Sequence, residues 1–142
     1  MKNIILATTI SVLAWHVTEA MAEEITLRYS SWTPPAYHLN VNVLEPWFDE
    51  IEEVTEGRVK VETLPKVVGT PASQYEVVQD GLADISFIVS GYTPGRFPVM
   101  EMAEISFYGN DARAIGPVFD RFYREKMQSV GEVDGVEILA VF

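Results

Sequence analysis

Apolar and polar positions alternate with a period of two from Ile25 to Ser30, where Ile25, Leu27 and Tyr29 oppose Thr26, Arg28 and Ser30. That period predicts a half-buried strand. The consecutive prolines of "TPPAYH" favour extended or turn geometry and end it. Trp47, Phe48, Ile51 and Val54 then recur at helical spacing against Glu45, Asp49, Glu50, Glu52 and Glu53, which predicts an amphipathic helix with an acidic outer face. Pro46 belongs near its start or at a kink, and Gly57 ends it in the position after the cap. "RVKVETL" (58–64) alternates again and predicts a second strand. Thr70-Pro71 reads as an N-cap followed by proline at the first helical position, opening a helix to about Leu82 with Tyr75, Val78 and Leu82 on one stripe.

"ADISFIV" (83–89) is nearly all apolar, as expected of a strand covered on both faces. Asn110 or Asp111 can cap a long helix whose inner face is Ile115, Phe119, Phe122 and Met127, with Gly116-Pro117 kinking or delaying it. "GVEILAVF" (135–142) closes the chain as a fourth strand. Strands that alternate with helices imply a parallel, covered sheet, so the fold class is α/β.

Composition refines this. "MKN", an apolar run of about a dozen residues and Ala20-Met21-Ala22 fit a cleavable signal peptide over residues 1–22. A membrane anchor would need roughly 20 apolar residues. Residues 23–142 then form one domain, exported to a periplasm. The chain has no cysteine, which excludes thiol catalysis and thiolate metal sites. Its formal net charge of −11 opposes nucleic acid, which demands clustered Lys and Arg, and otherwise serves solubility. The apolar end at Ile138–Phe142, with no turn or polar tail, reads as a domain interrupted before its second half.

In an open α/β sheet, ligands sit outside the carboxyl ends of the strands. Three loops qualify: "WTPPAYH", "PKVVGTP" and "SGYTPGRFP". They carry the candidate ligand contacts Trp32, Tyr37, His38, Ser90, Gly91 and Tyr92, which offer stacking faces and hydrogen-bond groups. Each has a plainer alternative. Trp32 could plug the top of the core, His38 could cap a helix, and Tyr92 could lie on the rim. Arg96 beside Phe97 reads as a stacked or paired structural arginine rather than a carboxylate partner. No catalytic constellation stands out. A Ser-His-Asp triad would have to use His38 and lacks a G-x-S-x-G elbow. Metal ligation by one mature histidine and scattered carboxylates would be weakly specific, and no cofactor motif occurs.

Taken together, "LRYSSWTPPAYHLN…EPWFDEIEEVTEGRVKVETLP", "YEVVQDGLADISF" and "SGYTPGRFPVMEMAEISF" resemble the N-terminal lobe of the extracytoplasmic solute receptors of TRAP transporters, the tripartite ATP-independent carriers of organic acids. The resemblance spans Leu27 to Phe142. It implies a type II periplasmic-binding-protein-like lobe with a mostly parallel sheet flanked by helices, cut before the second lobe. It also implies capture of a small carboxylate by hinge closure, delivery to membrane permease subunits, and no bond chemistry. The cleft-lining positions it carries over lie around Trp32, His38, Val89, Ser90 and Tyr92. The family's carboxylate-binding arginine would follow the Val136–Phe142 segment. Val89, where some acid-sugar receptors of the family have a carboxylate, argues against a polyhydroxylated sugar acid. Ile105-Ser106-Phe107 departs from the family's usual Leu-Pro-Phe. The alternatives are a secreted α/β hydrolase using His38 as base, and an interaction domain with no pocket.

Overall fold

A computed structural model describes residues 23–105 and 109–142. The expected signal peptide and the Ser106-Phe107 departure fall outside these residues. Three parallel strands form one sheet in the order β2-β1-β3. They are β1 (Ile25–Ser30), β2 (Val59–Thr63) and β3 (Ile85–Ser86). Ile25 pairs with Val59 and Tyr29 with Thr63 on one side of β1; Tyr29 pairs with Ile85 and Ser30 with Ser86 on the other. The expected parallel α/β sheet is therefore observed.

Tyr29 and Ser30 point to opposite faces, and each face has its own apolar cluster. Tyr29 packs with Leu39, Leu44 and Phe48 under helix α1 (Glu45–Val54), flanked by Trp47, Val61, Ile85 and Phe87. The opposite cluster joins Tyr75 of helix α2 (Gln74–Gln79) to Phe97, Met100, Tyr123 and Met127, with Phe119 of helix α3 (Ala112–Phe122) and Val136, Ile138 and Val141 against it. Two clusters separated by a sheet are what a covered parallel sheet needs, since each face of each strand must lose its water.

The helices follow their patterns with local corrections. A π turn at Asn40–Leu44 leads into α1, and Pro46 stands in its first turn. Proline has no N–H for the carbonyl four residues back, so the chain widens its turn just upstream. Gly57 adopts φ +77° and donates to Glu52 O at 2.8 Å, the expected helix stop. Val54 lies off the inner stripe, 69% exposed, because the buried line is Leu44 and Phe48. Thr70 and Ser73 form the capping arrangement ahead of α2, but the α-helix stops at Gln79 and Leu82 is exposed. Its buried residues are Gln74, Tyr75 and Val77. Asp111 caps α3 by accepting from Arg113 N, and the helix runs on through Pro117. The buried line beyond it uses Tyr123 and Met127; Phe122, one position off that row, is exposed.

The fourth strand is not formed among the described residues. Residues 135–142 form neither helix nor strand, and side chains of the preceding helical run hold their backbone instead of a ladder. Arg124 Nη2 donates to Leu139 O at 2.7 Å, and Val141 N donates to Asp120 Oδ1 at 3.0 Å. Upstream, Tyr75 Oη bonds both the N–H and the C=O of Asp134. Glu132 accepts from Val99 N and Met100 N at 2.7 and 3.0 Å. These four side chains fasten residues 132–141 to α2, to residues 99–100 and to the helical run of α3.

One ion pair ties the sheet together. Arg28 donates to Asp84 from its backbone N–H and from Nε, both at 2.8 Å, and from Nη2 at 3.1 Å. These hydrogen bonds hold the Asp84 carboxyl below the usual carboxylate range, and Arg124 does the same for Asp120. A carboxylate with a depressed native pKa stabilises the fold at pH values above its unfolded value, about 3.9. That contribution disappears as pH falls through the lower native value. The urea unfolding midpoint should therefore drop on acidification below about pH 4. Asp84→Asn should flatten part of that drop; an unchanged acid limb in this variant would show that the clamp contributes nothing.

Candidate functional site

All three strands run the same way, so the loops after β1, β2 and β3 leave from one edge of the sheet. The first and third meet there. Trp32 Nε1 donates to Phe87 O at 2.6 Å, and the indole stacks on the Phe87 ring at 5.4 Å and 10°. Tyr92 meets the same indole edge-on at 5.6 Å. Phe87 also stacks with Phe142 at 5.8 Å and 14°. Four aromatic rings from three chain segments thus form a wall at the carboxyl ends of the strands. Stacked and edge-to-face pairs of this kind add about 0.5–1.5 kcal/mol each beyond their burial.

Two buried amides hold the loops. Asn40 Nδ2 donates to Thr33 Oγ1 and Pro34 O, both at 3.0 Å, which fixes the turn behind Trp32. Gln74 is fully buried. Its Nε2 donates to Val68 O at 2.7 Å and Thr70 O at 2.9 Å, while its Oε1 lies 2.6 Å from Ser86 Oγ. The loop after β2, the start of α2 and β3 are joined through this one side chain.

Ser90 and Gly91 form a short turn with Tyr92, and one carboxylate holds it: Glu104 Oε1 accepts from Ser90 Oγ at 2.9 Å and from Gly91 N at 2.7 Å. A Cβ at residue 91 would meet Glu104 Oε2, so a larger residue there would have to push this carboxylate off the turn. Tyr37 and His38 pair with each other at 4.5 Å, at the start of the helical run that leads into α1. No aromatic contact among the described residues joins them to Trp32 or Tyr92. The Ser90 hydroxyl bonds Glu104 and not an imidazole, an arrangement unlike a hydrolase nucleophile beside its base. Arg96 pairs with Glu76 at 2.8 Å and covers the Tyr75 ring at 4.5 Å, so its charge is spent in structure, as the plainer reading has it.

Between β3 and the 136–142 segment lies a cavity of about 770 Å³. Tyr29, Phe87, Val89, Ser90, Ile138 and Phe142 are among its apolar and rim residues, and its carboxylates are Asp84, Glu104 and Glu137. No lysine, arginine or histidine lines it among the described residues. Of the six candidate contacts, only Ser90 lines the cavity itself; Trp32 adjoins it through Phe87, and Tyr92 meets Trp32. Phe87, Glu104 and Phe142 were not singled out by the sequence. Phe87 sits in an unbroken apolar run and Glu104 in a short helical turn, neither of which marks a residue as rim or core.

A parallel α/β sheet whose loops gather aromatic rings at the carboxyl ends of its strands has the geometry at which open α/β sheets bind small molecules. The chain belongs to the bacterial extracellular solute-binding protein family 7, whose model matches residues 30–142. It is similar to the TRAP periplasmic solute-binding protein of Bordetella bronchiseptica solved with (R)- and (S)-mandelate, at 35% identity and a TM-score of 0.78. That likeness covers 82% of this chain and 37% of the other. A TRAP solute-binding protein of Rhodoferax ferrireducens solved with benzoate is 28% identical, with a TM-score of 0.74 over 82% of this chain and 36% of that one. The TsaT protein of Comamonas testosteroni, described as an outer membrane transporter protein, is 28% identical over 94% of this chain and 40% of its own length. The chain thus spans well under half of each of these relatives.

Proposed function

We propose that this chain is the N-terminal lobe, over residues 23–142, of a periplasmic receptor. In this reading residues 1–22 direct export. The receptor captures a small carboxylate with an aromatic body and hands it to the membrane permease subunits of a TRAP-type carrier. No bond is made or broken. The observation that carries the reading is the wall of Trp32, Phe87, Tyr92 and Phe142 on the edge where ligands of α/β sheets bind. A planar ring can slide onto such a wall, whereas a polyhydroxylated chain would lose water without regaining hydrogen bonds. The mandelate and benzoate bound by two relatives support this class of ligand.

In the same reading Tyr37 and His38 would meet the ligand as a second aromatic pair, and Ser90 and Gly91 would hold the turn that carries Tyr92. The ligand's own carboxylate needs a cation, and the described cavity lining supplies none. The test is a thermal-shift panel on the protein in full length, including whatever its reading frame encodes beyond Phe142. Benzoate or mandelate at 100 times its dissociation constant should stabilise the native state by about 2.7 kcal/mol. Stabilisation by sugar acids with none from aromatic acids would overturn the ligand class. Turnover of an ester or amide would overturn the receptor reading.

A further inference from the structure

We propose that Asn40 is a positioning residue for ligand recognition, a buried amide that locks Trp32 and the Tyr37–His38 pair into one rigid unit. The inference rests on the receptor reading above and adds to it a residue that touches no ligand. Asn40 is only 5% exposed, yet its Oδ1 has no hydrogen-bond partner among the described residues. The side chain works through its donors alone. Nδ2 donates to Thr33 Oγ1 and Pro34 O at 3.0 Å and to Ser31 Oγ at 3.3 Å, acceptors that bracket Trp32 in the chain. Asn40 also opens the π turn Asn40–Leu44, a rare geometry that recurs at functional sites.

Stability alone does not account for this amide. A buried acceptor left without a donor destabilises a fold. The donated bonds do not offset that loss, because their acceptors have other partners. Pro34 O keeps Tyr37 N at 2.9 Å, and the Ser31 and Thr33 hydroxyls lie 3.1 Å apart, where either can donate to the other. An apolar residue at position 40 would strand none of them. It would, however, release the turn around Trp32. The indole's own hydrogen bond runs from Nε1 to Phe87 O at 2.6 Å. A ring held only there can tilt on Phe87, whereas one held through its own turn as well presents a fixed face. Pro34 O accepts from both Asn40 Nδ2 and Tyr37 N, so the same amide sets where Tyr37 and His38 stand relative to Trp32. Rings ordered before the ligand arrives lose less freedom when it binds.

The test uses the full-length protein, with urea unfolding and calorimetric Kd values for benzoate. Asn40→Leu keeps the branching of the side chain and removes its donors. It should unfold at a urea concentration close to that of wild type and bind benzoate about tenfold more weakly, which corresponds to 1.4 kcal/mol. Thr33→Val removes one acceptor at a half-buried position, so it carries the same test should leucine not be accommodated. It should weaken benzoate about threefold. In a Trp32→Ala background, Asn40→Leu should change the affinity by no more than about twofold, since its effect runs through the indole. Labelling with 5-fluorotryptophan reads the ring directly. The Trp32 signal, identified by its loss in Trp32→Phe, should shift or broaden in Asn40→Leu while that of Trp47 in α1 stays in place. A lowered unfolding midpoint with unchanged benzoate affinity would make Asn40 an ordinary structural amide and overturn the proposal. So would wild-type affinity in Thr33→Val, an unmoved Trp32 signal, or a full tenfold loss in the Trp32→Ala background. Were wild type to bind neither benzoate nor mandelate, the aromatic-acid reading itself would fall, and this inference with it.

Discussion

Replacing Trp32 by alanine is expected to cost about a hundredfold in affinity for an aromatic acid, close to 2.7 kcal/mol. The same change should lower folding stability by about 2 kcal/mol, below the usual penalty for a fully buried aromatic because the indole is only half-buried. Two losses combine. The ring stack with Phe87 disappears, and Phe87 O loses the indole N–H that now lies 2.6 Å from it. Tyr92 then has no ring to meet edge-on. Trp32→Phe separates the contributions. It preserves a ring on Phe87 and removes only the hydrogen bond, so it should retain most of the affinity and lose about 1 kcal/mol of stability. Calorimetric titration with benzoate and denaturant unfolding measure the two quantities independently. Full affinity in Trp32→Ala would return this residue to a plug on the core and take the aromatic wall out of the recognition argument.

The second large effect concerns a residue no ligand touches. Gln74→Leu should destabilise the chain by about 1–2 kcal/mol, because it removes the buried amide that joins Val68 O, Thr70 O and Ser86 Oγ and leaves the Val68 carbonyl without its side-chain donor. Val68 O has Gln74 Nε2 as its side-chain partner, and Thr70 O shares the same amide with the Ser73 turn. Leucine matches the volume but donates nothing. Gln74→Glu should be worse at neutral pH, since it sets a carboxylate against those two carbonyls in a buried site. Urea unfolding of the three proteins at pH 7 gives the order directly, expected as wild type, Leu, Glu from most to least stable. Were Gln74→Leu as stable as wild type, the network would be ornamental and the loop after β2 would be held by its capping turn alone.

Beyond stability, Gln74 links the fold to the site. It fastens the loop after β2 to β3, the strand that runs on into Phe87 and Ser90. The apolar wall and the glycine-bearing turn can stay in place only while that strand does. Preorganisation of this kind lowers what a ligand must spend on ordering the rim.

Much of this protein was legible in its residues. The period-two stretches at Ile25–Ser30 and 58–64, the helical stripe through Trp47, Phe48 and Ile51 (though not its Val54), the Thr70-Pro71 start and the Asp111 cap each depend on neighbours a few positions away. So does the parallel arrangement, because strands separated by helices leave few other topologies. The three loops on one edge followed from that, and the TRAP-receptor resemblance was carried by linear motifs. What the tertiary structure decided was non-local. Trp32 finds Phe87 across 55 positions, Glu104 finds Gly91 across 13, and Gln74 finds Ser86 across 12. A hydrophobicity pattern records which side of an element is dry, and it holds no record of which distant polar group will meet it there. The last segment shows the limit most directly. Val136, Ile138 and Val141 carry a strand's pattern, but a strand exists only where another backbone offers its N–H and C=O groups. Here Arg124 and Asp120 offer side chains in their place.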